Sequence, residues 1–207
     1  MSYKYTEAEL TDYFYKALDL FNEKLDTRMN RDTVKIRFFN PQNGLDVYRS
    51  FCQAFFPNQL EDVDAEYFNT IAAEAFQEDD DRYGVLIRSD IEYEEVDVIF
   101  TFLHEISHLY CTEYEIPTGD FYNRYCQDVG LHDGYMNAGY AIWREAVADI
   151  MADSIFSEYS SLSLFKMDDE LNRLYQLVIS KLPNSKKSMS LIIAYVMISK
   201  EVCEEIE

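Results

Sequence analysis

The strongest constraint on this chain lies in residues 98–114, VIFTFLHEISHLYCTEY, where His104-Glu105-Ile106-Ser107-His108 is set in an apolar run. Such a run is expected to form a buried helix. Residues four apart on a helix share a face and lie about 6 Å apart along the axis. His104 and His108 can therefore converge on one metal ion, and Glu105 sits one step round, beside any water on that metal. Two imidazoles suit zinc, and an adjacent carboxylate suits taking a proton from the water. A helix that merely carries two histidines needs no further ligand, so the metal reading depends on finding one.

A catalytic zinc site usually has three protein ligands and a water. The metzincin extension, which places a third histidine ten residues after the first, is excluded because Tyr114 stands at that position and the turn glycine is missing. The segment 143–156, WREAVADIMADSIF, reads as a helix with Glu145 and Asp149 four apart on one face. Ala148 and Ala152 run along nearly the same stripe. Small side chains there let this helix approach the motif helix closely, as a metal–ligand bond of about 2 Å requires. Glu145 is the expected third ligand. Asp149 falls where it can accept a hydrogen bond from the far ring nitrogen of His104, fixing that imidazole's tautomer and orientation. Without the histidine motif, both acids would read as ordinary charges on an amphipathic helix.

Other residues compete for roles at this site. His132, between Gly130 and Gly134, is an alternative ligand or a stabiliser of a transition state. Tyr135 and Tyr140 lie between the two ligand motifs, where a phenol can hydrogen-bond a developing oxyanion. With 17 tyrosines in the chain, simple packing is the competing role for both. Cys111 shares the face of the two histidines but lies a turn too far along, which suits a buried thiol.

The rest of the chain supplies a scaffold. Thr6-Glu7-Ala8-Glu9 is a capping box, and Leu10, Phe14, Leu18, Phe21 and Leu25 follow at helical spacing, so a first helix is expected to end near Thr27. Thr33 to Phe39 alternates as a strand, stopped by Asn40-Pro41. Helices are expected over 45–56 and, with Asp64 as cap, over 64–76; the acidic residues 78–81 read as a solvated loop. A short strand over 82–88 precedes Ser89-Asp90, which is expected to cap a helix running from about Glu92 through the motif to Tyr114, with a break near Asp97. Residues 118–137 have the punctuation of a long loop, a kind that is often functional. Helices are expected over 138–159, 168–182 and 185–204. The fold class is α+β and mainly helical, with a small sheet beside the motif helix, and residues 1–207 read as a single domain.

Charge and cysteine usage narrow the function further. Lys and Arg number 18 against 39 Asp and Glu, a formal charge of -21, so the surface repels phosphate backbones and direct nucleic-acid binding is not expected. Cys52, Cys111, Cys126 and Cys203 include no C-x-x-C pair and suggest neither a disulfide framework nor a thiolate zinc site. The N-terminus MSYKYTEAEL lacks the apolar core of a signal peptide, and SMSLIIAYVMIS is too short to span a membrane. A cytoplasmic location is expected.

H-E-I-S-H followed downstream by E-A-V-A-D resembles the gluzincin pattern, H-E-x-x-H plus E-x-x-A/S-D, of the thermolysin-like metallopeptidases. The short strand GVLIR, then the motif helix, then a helix opening E-x-x-A is similar to the small ImmA/IrrE-type peptidases. The resemblance covers about residues 83–156 and implies zinc held by His104, His108 and Glu145, with Glu105 as general base. The expected activity is zinc-dependent hydrolysis of a peptide bond in a protein or peptide substrate, with the strand at 83–88 as the rim that pairs with it. The alternative is a non-cleaving, metal-containing regulatory or protein-binding module on a peptidase scaffold.

Overall fold

The computed structural model of this chain describes residues 2–78, 82–116 and 133–160, the last segment by its backbone alone before residue 144. It is an α+β fold. Helix α1 (Glu7–Lys24) starts at the capping box: Thr6 Oγ1 accepts from the Glu9 N–H at 3.3 Å, and the Glu9 carboxylate accepts from the Thr6 N–H at 2.8 Å. These contacts use two backbone donors that a helix start otherwise leaves open. The helix buries Leu10, Phe14, Ala17, Leu18 and Phe21. It stops at Lys24, short of Thr27.

Three strands form a mixed sheet in the order β1-β3-β2, with β1 at Val34–Phe39, β2 at Ala73–Glu78 and β3 at Arg82–Arg88. β1 runs parallel to β3 and β2 antiparallel to it. One sheet face packs against α1 and α3 (Glu95–Glu113), through Val34, Val85, Ile87 and Ala73. The other face carries Phe39, Phe76 and Leu86 against α2 (Gly44–Phe55). Gly84 makes the second layer possible: a Cβ there would lie 2.5 Å from the Phe56 ring and 2.8 Å from that of Phe51. A long helix, α4 (Asp133–Ser160), lies along α3. Ala148 and Ala152 are fully buried in it, so their small side chains stand where the sequence placed the close approach. Among the described residues, no helix is long and apolar enough to cross a membrane.

Several boundaries differ from the sequence reading, each for a physical reason. The expected helix over 64–76 is a 3-10 turn (Ala65–Asn69), capped by Asp64, followed by strand β2. Ala72 to Ala75 favour a helix intrinsically, but pairing with β3 overrides a preference of only about 0.5 kcal/mol per residue. Glu78 is not in a solvated loop: it ends β2, is buried and accepts from the Asn58 amide. α3 begins at Glu95 rather than Glu92 and has no break at Asp97, because Tyr93 is held in a short bridge to Tyr3. Asp90 does not cap that helix; it takes Arg88 in a two-pronged ion pair, 2.7 and 3.3 Å. Residues 133–137, expected at the end of a loop, are helical in α4. The rest of that loop, and the helices expected over 168–182 and 185–204, lie outside the described residues.

The strand expected to rim the cleft also changes. β3 is the central strand, with both edges taken, and cannot pair with a guest. β1 and β2 are the two edge strands, and β2 is the one whose residues line the cleft. Arg88 N–H donates to the Ala72 carbonyl at 2.9 Å, which turns the backbone of Ala72, Glu74 and Phe76 toward β3. By strict alternation the backbone groups of Ala73, Ala75 and Gln77 point outward.

Candidate metal centre

His104 and His108 project from consecutive turns of α3, and Glu145 reaches them from α4. His104 Nε2 and His108 Nε2 are 3.0 Å apart, and Glu145 lies 3.3 Å from the first and 3.4 Å from the second, through different carboxylate oxygens. A tetrahedral zinc with bonds of about 2.0–2.1 Å spaces its ligands by about 3.3 Å, so these side chains stand at separations that suit one shared ion. Among the described residues, these three side chains alone form a His, Cys, Asp and Glu group able to hold a metal ion.

The tautomers support a cation at the centre. Asp149 Oδ1 lies 2.7 Å from His104 Nδ1. A carboxylate only accepts, so Nδ1 carries the hydrogen and Nε2 turns toward His108 and Glu145. Two bare Nε2 lone pairs facing each other at 3.0 Å repel unless a proton or a metal ion stands between them. In the metal-free protein a proton does this. Burial alone would lower the His104 imidazolium, but hydrogen bonds to Asp149 and Glu145 overcome it and raise the group to about 10. His108 moves the other way, lowered by burial and by its charged neighbour His104. For Glu145, burial pushes upward but the two imidazoles prevail, holding its carboxyl well below the usual range.

Glu105 is 8% exposed and raised to about 7, chiefly by burial; the charges of Glu145 and Glu74 add to this, while His104 and the Ala75 backbone N–H oppose it. The Ala75 N–H is one of the outward groups of β2, so the strand edge lies beside the carboxylate of Glu105. A carboxylate raised into this range exchanges protons readily near neutrality.

The group opens on a cleft of about 660 Å³. The cleft runs from His104, Glu105, His108 and Glu145 past the edge of β2 to Tyr67 and Glu74. Arg144 is the one Lys or Arg among the described lining residues. At the far end of β2, Gln59 donates to the Gln77 carbonyl and closes that stretch of edge. Cys111 is buried, stands 3.8 Å from the Met151 sulfur and is pushed up to about 11 by burial, an inert thiol as the sequence suggested.

Of the residues singled out from sequence, the structure brings His104, His108, Glu145, Glu105 and Asp149 together. His132 and the side chains of Tyr135 and Tyr140 lie outside the described residues. Sequence reasoning missed Tyr67, Glu74 and the Ala75 amide, all on or beside a strand that reads as helix. Comparison with protein-family models, curated proteins and solved structures returns no match. The chemistry is therefore read from the side chains themselves.

Proposed function

We propose that this protein is a zinc-dependent peptidase of gluzincin type. One observation carries the reading: three side chains gathered closely enough to share a metal ion stand beside a buried, proton-exchanging carboxylate at one end of a cleft bordered by an edge strand. His104, His108 and Glu145 would hold the ion, with Asp149 orienting the first. Bound zinc lowers the pKa of a water to about 7 and polarises a carbonyl.

The chain's own residues do the rest. Glu105, beside the outward edge of β2, accepts the proton of the attacking water and passes it to the leaving amine. An extended substrate lies along β2, where the outward groups of Ala73 and Ala75 offer strand pairing, and Gln59 limits how far it extends. The substrate is a protein or peptide. The acidity of the chain disfavours nucleic acid. The free, buried Cys52 and Cys111 suit the reducing cytoplasm.

The test is Glu105→Gln. It is expected to retain one zinc per chain by metal analysis while cleavage of a peptide library falls at least about a hundredfold. Undiminished cleavage would sink the mechanism. Zinc and peptide binding with no cleavage by the natural protein would make it the non-cleaving module instead.

A further inference from the structure

Beyond the zinc ligands, the cleft wall contains an acceptor without a donor. Glu74 lies on β2, and its carboxylate is bonded by the Tyr67 phenol. Its Oε2 is enclosed and, among the described residues, has no hydrogen-bond partner. A buried acceptor left unmade costs about 1–3 kcal/mol, so an enclosed one on the cleft wall calls for an explanation.

Neighbouring donors are committed elsewhere. The Tyr48 hydroxyl donates to the Gln59 carbonyl at 3.1 Å and accepts from the Glu61 N–H at 2.8 Å. The Asn58 amide donates to Glu78 and the Gln59 amide to the Gln77 carbonyl. Glu74 Oε2 therefore awaits a donor from outside this network. Lysine ammonium and arginine guanidinium groups have three and five N–H donors and no acceptor, so they fit such a wall where a hydroxyl or amide guest fits it poorly. The charge agrees: Glu61 and Glu74 also line the cleft, away from the metal ligands. Burial holds the Glu74 carboxyl at about 7, and a cation beside it would favour the ionised form.

We propose that Glu74 determines specificity in this cleft by taking a positively charged group of a bound peptide, either a Lys or Arg side chain or a free α-amino group. This rests on the peptide-binding reading above. Glu74 shares the α2 face of β2 with Phe76 and lines the same cleft as His104, His108 and Glu145, so one bound peptide can meet both.

The test uses zinc-loaded Glu105→Gln protein and fluorescence anisotropy. Labelled peptides of one parent sequence carry Lys, Arg or norleucine at each position in turn, with the amino terminus free or acetylated. Peptides with a cation at one fixed position are expected to bind about tenfold tighter than their norleucine counterparts. Adding Glu74→Gln is expected to erase that preference, so that cationic and norleucine peptides bind alike. A preference that follows acetylation rather than the side chain assigns the subsite to the α-amino group. Should the added substitution unfold the protein, competition carries the test: butylguanidinium is expected to displace the Lys peptide and not the norleucine one. Equal binding of all peptides, or a preference that survives Glu74→Gln, overturns the proposal and leaves the peptidase reading standing. Binding of no peptide at all overturns both.

Discussion

Asp149 Oδ1 stands 2.7 Å from His104 Nδ1, on the opposite side of the ring from the nitrogen that faces Glu145. The carboxylate holds the imidazole in one tautomer and makes its other nitrogen a better donor to a metal. Asp149→Ala is therefore expected to weaken zinc binding by about 10–100-fold, measured by competition with a chelating dye. An unchanged affinity would mean that His104 is held by packing alone.

Ala148 tests the close approach of α3 and α4. It has no exposed surface, on the helix that brings Glu145 to the two histidines. Ala148→Leu adds methylenes where there is no room, at a cost of about 1–3 kcal/mol. Stability in urea and zinc affinity are expected to fall together, since the same displacement withdraws Glu145. A loss of stability with full zinc affinity would separate the ligand from the helix packing.

Gly84 supplies the contrast. A Cβ there meets Phe56 and Phe51 on the sheet face away from α3 and α4. Gly84→Ala is expected to cost about 1–3 kcal/mol of stability, read as a lower urea midpoint, while zinc affinity is unchanged. A parallel fall in affinity would show that the two layers do not respond independently.

Glu74 gives stability a pH signature. Burial raises its folded carboxyl to about 7, above its unfolded value, so the folded state holds the proton more tightly. The contribution is fully present below the unfolded value and is lost as pH rises through about 7. In metal-free protein, Glu74→Gln is expected to match the natural chain near pH 4 and to exceed it by roughly 1–3 kcal/mol at pH 8. Urea midpoints across that range provide the check, and a constant difference would contradict it.

The helical half of the site was legible because it rests on spacing within single helices. His104 and His108, and Glu145 and Asp149, are each four residues apart, and Ala148 and Ala152 mark the face that must come close. The other half was hidden by composition. Ala72 to Ala75 are helix formers held as a strand by hydrogen bonds to β3, a long-range cause that no local pattern records. With β2 unseen, β3 was read as the rim, and neither the Ala75 amide behind Glu105 nor the Tyr67–Glu74 pair could be placed. Tyr93 likewise delays the start of α3 through a bridge to Tyr3, a partner 90 residues away.

The edge of β2 has a consequence for solubility. An open strand edge is a template on which any extended chain can grow a sheet. Here Gln59 takes the Gln77 carbonyl, so an incoming strand finds no unbroken row of backbone groups. A single short peptide can pair there, but the row is too interrupted to seed a growing stack. The Gln59 side chain thus also helps guard the protein against aggregation at this sheet edge.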